Sequence, residues 1–252
     1  MIKLKSREEI EKIKESCTIV SCVLKELSDL VKPGITTNEL DSIAEKRILS
    51  RNAKPAFKGY RGFPKTLCTS VNDEIVHGIP SARVLKAGDI ISIDCGVLKD
   101  GFYGDGAITV PVAEIDEDSK RLLRVTKEAL LLGIEQAKIG NHILDISRAI
   151  QDKVEMESFS IVREFVGHGI GRDLHEDPQV PNYVLQCDSP LVEPGTVIAI
   201  EPMVTFGKPD VIISKDGWTA QTKDRSRSAH FEHTVAITNE GTLILTNYSG
   251  DF

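Results

Sequence analysis

Between Ile10 and Leu27 apolar residues return every three or four positions, the period of a helix that buries one face. Ser6-Arg-Glu-Glu9 precedes that run as a capping box, in which Ser6 and Glu9 satisfy each other's backbone N–H groups. A first helix is therefore predicted to about Leu30, with Pro33-Gly34 as its stop. Thr36-Thr-Asn-Glu39 is a second capping box and opens a helix to about Ser50. Asp116 or Ser119 caps a third to about Lys138, ended by Gly140, and a fourth runs from about Ile143 to Met156.

The period changes to two in the stretch Asp89–Val110, DIISIDCGVLKDGFYGDGAITV, where two alternating segments flank Asp100-Gly101. That dipeptide suits a two-residue type I′ turn, which needs φ > 0 at both central positions. The turn fixes a register in which paired residue numbers sum to 201, so Asp94 faces Ala107 and Asp105 faces Gly96. Asp94, Gly96, Asp105 and Ala107 then share one face, and Ile91, Ile93, Cys95 and Val97 take the other. Two aspartates held about 7–8 Å apart as diagonal neighbours either share a divalent cation or sit on a solvated face as ordinary surface acids.

Shorter strands are predicted around Thr66–Val71, along TVIAIEPMV, which carries Glu201, and along the segment carrying Glu232. Asp216-Gly217 marks another hairpin, and Asn239-Glu-Gly241 turns into a last strand. Two glycine-punctuated segments read as loops: the aromatic stretch Pro55–Pro64, and Val166–Pro178 with histidines at 168 and 175. The aromatic stretch is either a core-packing loop or a pocket wall.

The halves of the chain echo each other. VKPGITTNELDSIAEK resembles AKIGNHILDISRAIQDK with Gly34 and Gly140 offset by 106. KAGDIISID resembles EPGTVIAIE with Gly88 and Gly195 offset by 107, and that offset carries Asp94 onto Glu201. His77-Gly-Ile echoes His168-Gly-Ile at another offset. A duplicated helix-helix-strand-hairpin unit follows, with a pseudo-two-fold bringing the strands of Asp94 and Glu201 together at the centre. Asp105 and Glu232 would lie on the neighbouring strands. With no linker or low-complexity segment, residues 1–252 are expected to form one domain with halves of about 1–112 and 113–252.

Composition narrows the partners. A net charge of −7 and scattered Lys and Arg give no basic stripe for nucleic acid, and the cluster Lys223, Arg225, Arg227 is too short to make one. No apolar run is long enough for a membrane span, and the charged N-terminus is not a signal peptide. Cys17, Cys22, Cys68, Cys95 and Cys187 are odd in number and contain no C-x-x-C, which argues against a disulfide framework and for a reducing, cytoplasmic location.

The chemistry-bearing residues are acids on predicted strands and histidines between glycines. Gly167-His-Gly-Ile-Gly171 has the wrong spacing and surroundings for a dinucleotide fingerprint, and no P-loop or nucleophile motif competes. Carboxylates with an imidazole suit Mn, Fe, Co or Zn better than calcium.

These motifs together resemble type I methionine aminopeptidases. The likeness runs over essentially the whole chain, from VKPGITTNELD through GYRGFPKTLCTSVNDEIVHGIP, IDCGVLKDGFYGDGA and VREFVGHGIGRDLHEDPQVPNY to IEPMV and TKDRSRSAHFEHT. The resemblance implies an α+β pita-bread fold whose pseudo-symmetric halves enclose a dinuclear metal site. It implies two divalent ions (Co, Mn, Fe or Zn) held by Asp94, Asp105, His168, Glu201 and Glu232, with Asp105 and Glu232 bridging. Glu201 looks like the proton carrier, His77 and His175 like substrate-contacting catalytic groups, and Tyr60, Phe63, Cys68, Leu174 and Trp218 like the methionine pocket. The departures are Phe57 and Leu174, where cysteine and phenylalanine are frequent, and Arg61, where histidine is common. His142, His230 and His233 match no such role and are expected to be surface or packing histidines.

The implied activity is removal of the initiator methionine from nascent proteins with a small second residue, by a monomer that meets ribosomes. Prolidases share the fold and the ligand set but usually carry a further N-terminal domain, and a non-enzymatic relative would have lost ligands. The type II subclass needs a helical insertion, for which the 26 positions from His175 to Glu201 leave no room.

Overall fold

A computed structural model describes residues 2–247. Four helices form: α1 (Arg7–Leu30), α2 (Thr37–Leu49), α3 (Glu117–Gln136) and α4 (Ile143–Met156). Both predicted capping boxes are present, Ser6 with Glu9 and Thr36 with Glu39. Asp116, not Ser119, caps α3, accepting the Ser119 N–H at 2.8 Å. α1 buries Ile10, Ile13, Cys17, Val20, Leu24 and Leu27 along its apolar stripe. At about 1.5–3 kcal/mol for each large side chain, that face holds the helix on the sheet.

The main sheet has nine strands: β1 (Lys54–Pro55), β2 (Leu67–Val71), β3 (Ile90–Lys99), β4 (Phe102–Pro111), β5 (Gly167–Gly169), β6 (Glu176–Val180), β7 (Val197–Ile200), β8 (Glu232–Thr238) and β9 (Gly241–Ile244). Their order is β1-β3-β4-β8-β7-β5-β6, with β2 also on β3 and β9 also on β8, and every pair is antiparallel. The β3–β4 hairpin has the predicted register from Ile90↔Pro111 to Lys99↔Phe102. Its turn residues Asp100 and Gly101 have φ of 48° and 81°, the positive values of a type I′ turn.

The face of Ile91, Ile93, Cys95 and Val97 packs into the larger core with α1 to α4. The other face carries Asp94 and Asp105, and Asp105 is only 4 % exposed, which removes the solvated-hairpin alternative.

Three expectations change. The central contact of the sheet is β4 with β8, pairing Ala107 with Glu232, so Asp105 and Glu232 lie on the inner strands. The strands leading to Asp94 and Glu201 flank them, because the far edge of β3 is taken by β1 and β2, and that of β7 by β5.

TVIAIEPMV is not one strand. It breaks after Ile200, and Met203–Thr205 joins a separate three-stranded sheet between Ser228–His230 and Ser160–Ile161. Pro202 has no N–H to continue a ladder, so Glu201 stands where the chain leaves one sheet for another.

Val166–Pro178, expected as a loop, contains β5 and part of β6, with a register shift between His168 and Gly169. Glycine permits the approach: a Cβ on Gly167 would come to 2.4 Å from the Ala199 carbonyl oxygen, and one on Gly169 to 2.1 Å from that of Asp177.

Candidate metal centre

Five chain segments deliver the acids and the imidazole to one cavity of about 200 Å³. Asp94 comes from β3, Asp105 from β4, His168 from β5, Glu201 from the break after β7 and Glu232 from the first position of β8. Donor atoms of Asp105, His168 and Glu232 all lie within 4.8 Å of one another. The His168 Nε2 is 3.7 Å from Glu201 Oε1, and the carboxyls of Asp94 and Asp105 are within hydrogen-bonding reach of each other. The structure therefore brings together all five residues expected to hold metal.

The His168 Nδ1 lies 2.9 Å from the Gly169 carbonyl oxygen. A carbonyl only accepts, so Nδ1 carries the proton and the Nε2 lone pair is left for the cavity. Burial holds this imidazole neutral, with its pKa pushed down to about 3.

The charges do not balance without a cation. Burial, followed by repulsion from Asp105, pushes the Asp94, Glu201 and Glu232 carboxyls well above the usual carboxylate range. Asp105 rises too, chiefly through burial. The Asp94 Oδ1 is buried and makes no hydrogen bond. Clustered buried carboxylates, an unbonded oxygen and a neutral imidazole aimed inward fit a divalent ion of the Mn-to-Zn series.

One wall of the cavity is apolar and aromatic. Phe63 and Trp218 meet edge to face at 5.1 Å, beside Phe57, Tyr60, Cys68 and Leu174. Phe57, Tyr60, Arg61 and Phe63 line this cavity, while Phe57 and Phe63 also pack in a buried cluster with Ile13, Cys17 and Phe102, so the aromatic stretch is both pocket wall and core. Burial raises the Cys68 thiol well above its ordinary value, so it packs as a neutral group.

His77 and His175 also line the cavity. His175 Nδ1 is 2.9 Å from the Tyr60 hydroxyl, and its ring lies 4.3 Å from that of His168, tilted by 55°. His77 sits at φ 59°, a left-handed value that a non-glycine residue keeps only where its surroundings impose it. Its ring lies edge-on to Phe165 at 5.2 Å, a contact with no signature in the sequence.

His230 is buried, as a packing histidine would be, but its Nε2 makes no hydrogen bond and stands 3.6 Å from Glu201 Oε2, which packing alone does not account for. Burial holds the ring neutral, near a pKa of 3, so this close approach is not an ion pair. The strand parity of His230 with Glu232 is the signal that points to it. Residues that orient a ligand typically matter by about 10–100-fold. His230→Ala is expected to lower kcat by that factor, and a kcat unchanged from the parent would remove His230 from the site. His142 bonds the Ser189 carbonyl and His233 the Thr246 hydroxyl, so both are structural.

Residues 11–239 match metallopeptidase family M24. Methionine aminopeptidase 1 of Bacillus subtilis is 52 % identical over 246 residues, which cover 98 % of this chain and 99 % of the relative. The crystal structure of methionine aminopeptidase from Thermotoga maritima superposes with a TM-score of 0.96 at 45 % identity, covering 98 % of this chain and all of the other. A prolidase from Pyrococcus furiosus shares the fold at a TM-score of 0.79 and 24 % identity, but this chain covers only 66 % of it.

Proposed function

This chain belongs to metallopeptidase family M24, in its methionine aminopeptidase branch, and we infer that it hydrolyses the first peptide bond of chains that begin with methionine. Its fold is the pita-bread α+β fold. The observation that carries the reading is the convergence of Asp105, His168 and Glu232 donor atoms within 4.8 Å at the base of an aromatic pocket.

Two divalent ions would be held by Asp94, Asp105, His168, Glu201 and Glu232, of which Asp105 and Glu232 lie on adjacent inner strands. Such ions supply Lewis acidity and draw the pKa of water toward neutrality. Glu201 takes a proton from the attacking water and returns it to the leaving amine nitrogen. The Tyr60 hydroxyl lies 2.9 Å from His175 Nδ1, and in the tautomer whose Nδ1 accepts the hydroxyl proton, His175 presents an Nε2–H to stabilise the developing oxyanion. Burial holds His77 neutral, near a pKa of 4, as a hydrogen-bonding group for the scissile amide. The methionine thioether rests among Tyr60, Phe63, Cys68, Leu174 and Trp218, an apolar fit for a flexible, polarisable side chain.

Peptides tell this activity from that of a prolidase. After chelation and reloading with Mn, Fe, Co or Zn, the enzyme is expected to release methionine from Met-Ala-Ser and leave Ala-Pro peptides intact. Cleavage of the proline peptide alone would overturn the reading.

The imidazoles of His77, His168 and His175 crowd the reacting bond, and this supports a preference for a small second residue. The preference is expected as a kcat/KM for Met-Leu-Ser about 100-fold below that for Met-Ala-Ser. Equal rates for the two would refute it. The natural substrates are then nascent N-termini near ribosomes, met by a single copy of the chain. No helix among the described residues is long and apolar enough to cross a membrane. The unpaired cysteines support a cytoplasmic site of action.

A further inference from the structure

The catalytic cavity continues outward into a second, more open groove. Arg61, Val166, His168 and His175 line both spaces. With methionine filling the inner cavity, the second residue of a substrate lies at the reacting bond beside His175. The third is the first to reach the outer groove.

Nearly every charge in that groove is already engaged. Lys3 pairs with Asp173 at 3.1 Å. The Glu176 side chain is buried, accepts from Lys5 Nζ at 2.7 Å and takes the backbone N–H groups of Arg172 and Asp173. Asp177 has a partner of its own. Arg61 is the exception: it is exposed and makes no ion pair or side-chain hydrogen bond among the described residues.

Its position is built rather than incidental. Gly59, Arg61 and Gly62 all have positive φ, of 88°, 49° and 90°, in a tight turn. For arginine that conformation is uncommon and costs free energy. The turn sets the guanidinium 5.3 Å from the centroid of the Tyr60 ring, whose hydroxyl bonds His175. A cation is thereby held where the inner cavity opens into the outer groove, with its hydrogen-bond donors unspent.

We propose that Arg61 is a specificity residue that selects substrates with an acidic side chain at the third position, pairing with that carboxylate in the outer groove. The inference rests on the aminopeptidase reading above. A rim charge acts on capture of the substrate, so the effect belongs in KM and in salt dependence more than in kcat. An exposed ion pair of this kind corresponds to about a 2- to 5-fold change.

The test uses the metal-loaded full chain and three C-terminally amidated peptides, Met-Ala-Glu-Ser, Met-Ala-Gln-Ser and Met-Ala-Lys-Ser. Amidation removes the terminal carboxylate as a rival partner for Arg61. The kcat/KM values are expected to fall in the order Glu, Gln, Lys, by about 2- to 5-fold at each step. The spread should flatten at about 1 M salt, where screening reaches about 3 Å. Arg61→Gln should erase the order and Arg61→Glu should reverse it. Equal kcat/KM for the three peptides in the parent chain would overturn the proposal. So would an order that survives in Arg61→Gln, or a uniform loss across all three peptides in both variants. The scissile Met-Ala bond is common to the three peptides, so failure to release methionine from any of them would instead overturn the aminopeptidase reading.

Discussion

Glu201→Gln is expected to lower kcat by about a thousandfold or more, within the range that general acid–base groups supply, while the protein stays folded. The substitution is isosteric, but an amide neither takes a proton from water nor offers an anionic oxygen to a cation. The fold has little to lose. The backbone of Glu201 is held through its carbonyl, which accepts from Asn182 Nδ2 at 3.0 Å, and that bond does not involve the carboxyl. The carboxyl itself is raised by burial and by the charge of Asp105, so the metal-free protein must keep it protonated, a cost that a neutral amide does not carry. The melting temperature of the metal-free variant is therefore expected to equal or exceed that of the parent. Turnover on Met-Ala-Ser, the metal content and thermal melts of parent and variant decide the matter. A variant within tenfold of parental kcat would strip Glu201 of its role as proton carrier.

What was legible in the sequence follows from which interactions are local. The hairpin register came from Asp100-Gly101, because a type I′ turn fixes pairing as far as the ladder runs, and that alone set Asp94 and Asp105 on one face. The helices were legible because Ser6, Thr36 and Asp116 cap them within three residues.

The illegible parts depend on distant partners. β5 is built of Gly167, His168 and Gly169, which carry no strand propensity, and it exists because β7 and β6 pair with it on either side. The break at Glu201-Pro202 shows in the sequence only as a proline inside an alternating run. The partners that pull Met203–Thr205 into another sheet lie at Ser160–Ile161 and Ser228–His230. Family likeness makes His230 no more than a surface or packing histidine, and its approach to Glu201 is a tertiary fact that no local pattern carries.

Removing the metal should abolish turnover and also change how stability depends on pH. Chelation is expected to leave methionine release undetectable until Mn, Fe, Co or Zn is returned. The pH effect follows from the buried groups. Asp94, Glu201 and Glu232 are raised well above their ordinary values, so the metal-free native state keeps protons that the unfolded chain has already lost. A state that binds more protons is weakened as pH rises, so these groups lower stability on going up through their folded values. His77, His168 and His230, depressed to about 4, 3 and 3, act in the opposite sense. Unfolded imidazoles take up protons below about pH 6.5 while the native ones do not, so their contribution is complete above that value and is lost below it.

The two trends oppose each other between about pH 4 and 6.5, and above it only the carboxyl trend remains. The chelated protein should therefore melt at progressively lower temperature as pH rises from about 6.5 through about 7, the value to which Asp105 is raised. Bound metal takes the place of those protons, so its stabilisation grows over the same window. At metal concentrations near a hundred times Kd the gain is about 2.7 kcal/mol, or about 5–10 °C for a chain of this size. Melting curves of chelated and Mn-loaded protein across that window test the sign. If the chelated protein holds or gains stability as pH rises, while metal shifts the melt equally at every pH, the buried carboxyls do not carry the uncompensated charge that makes this cavity a metal site.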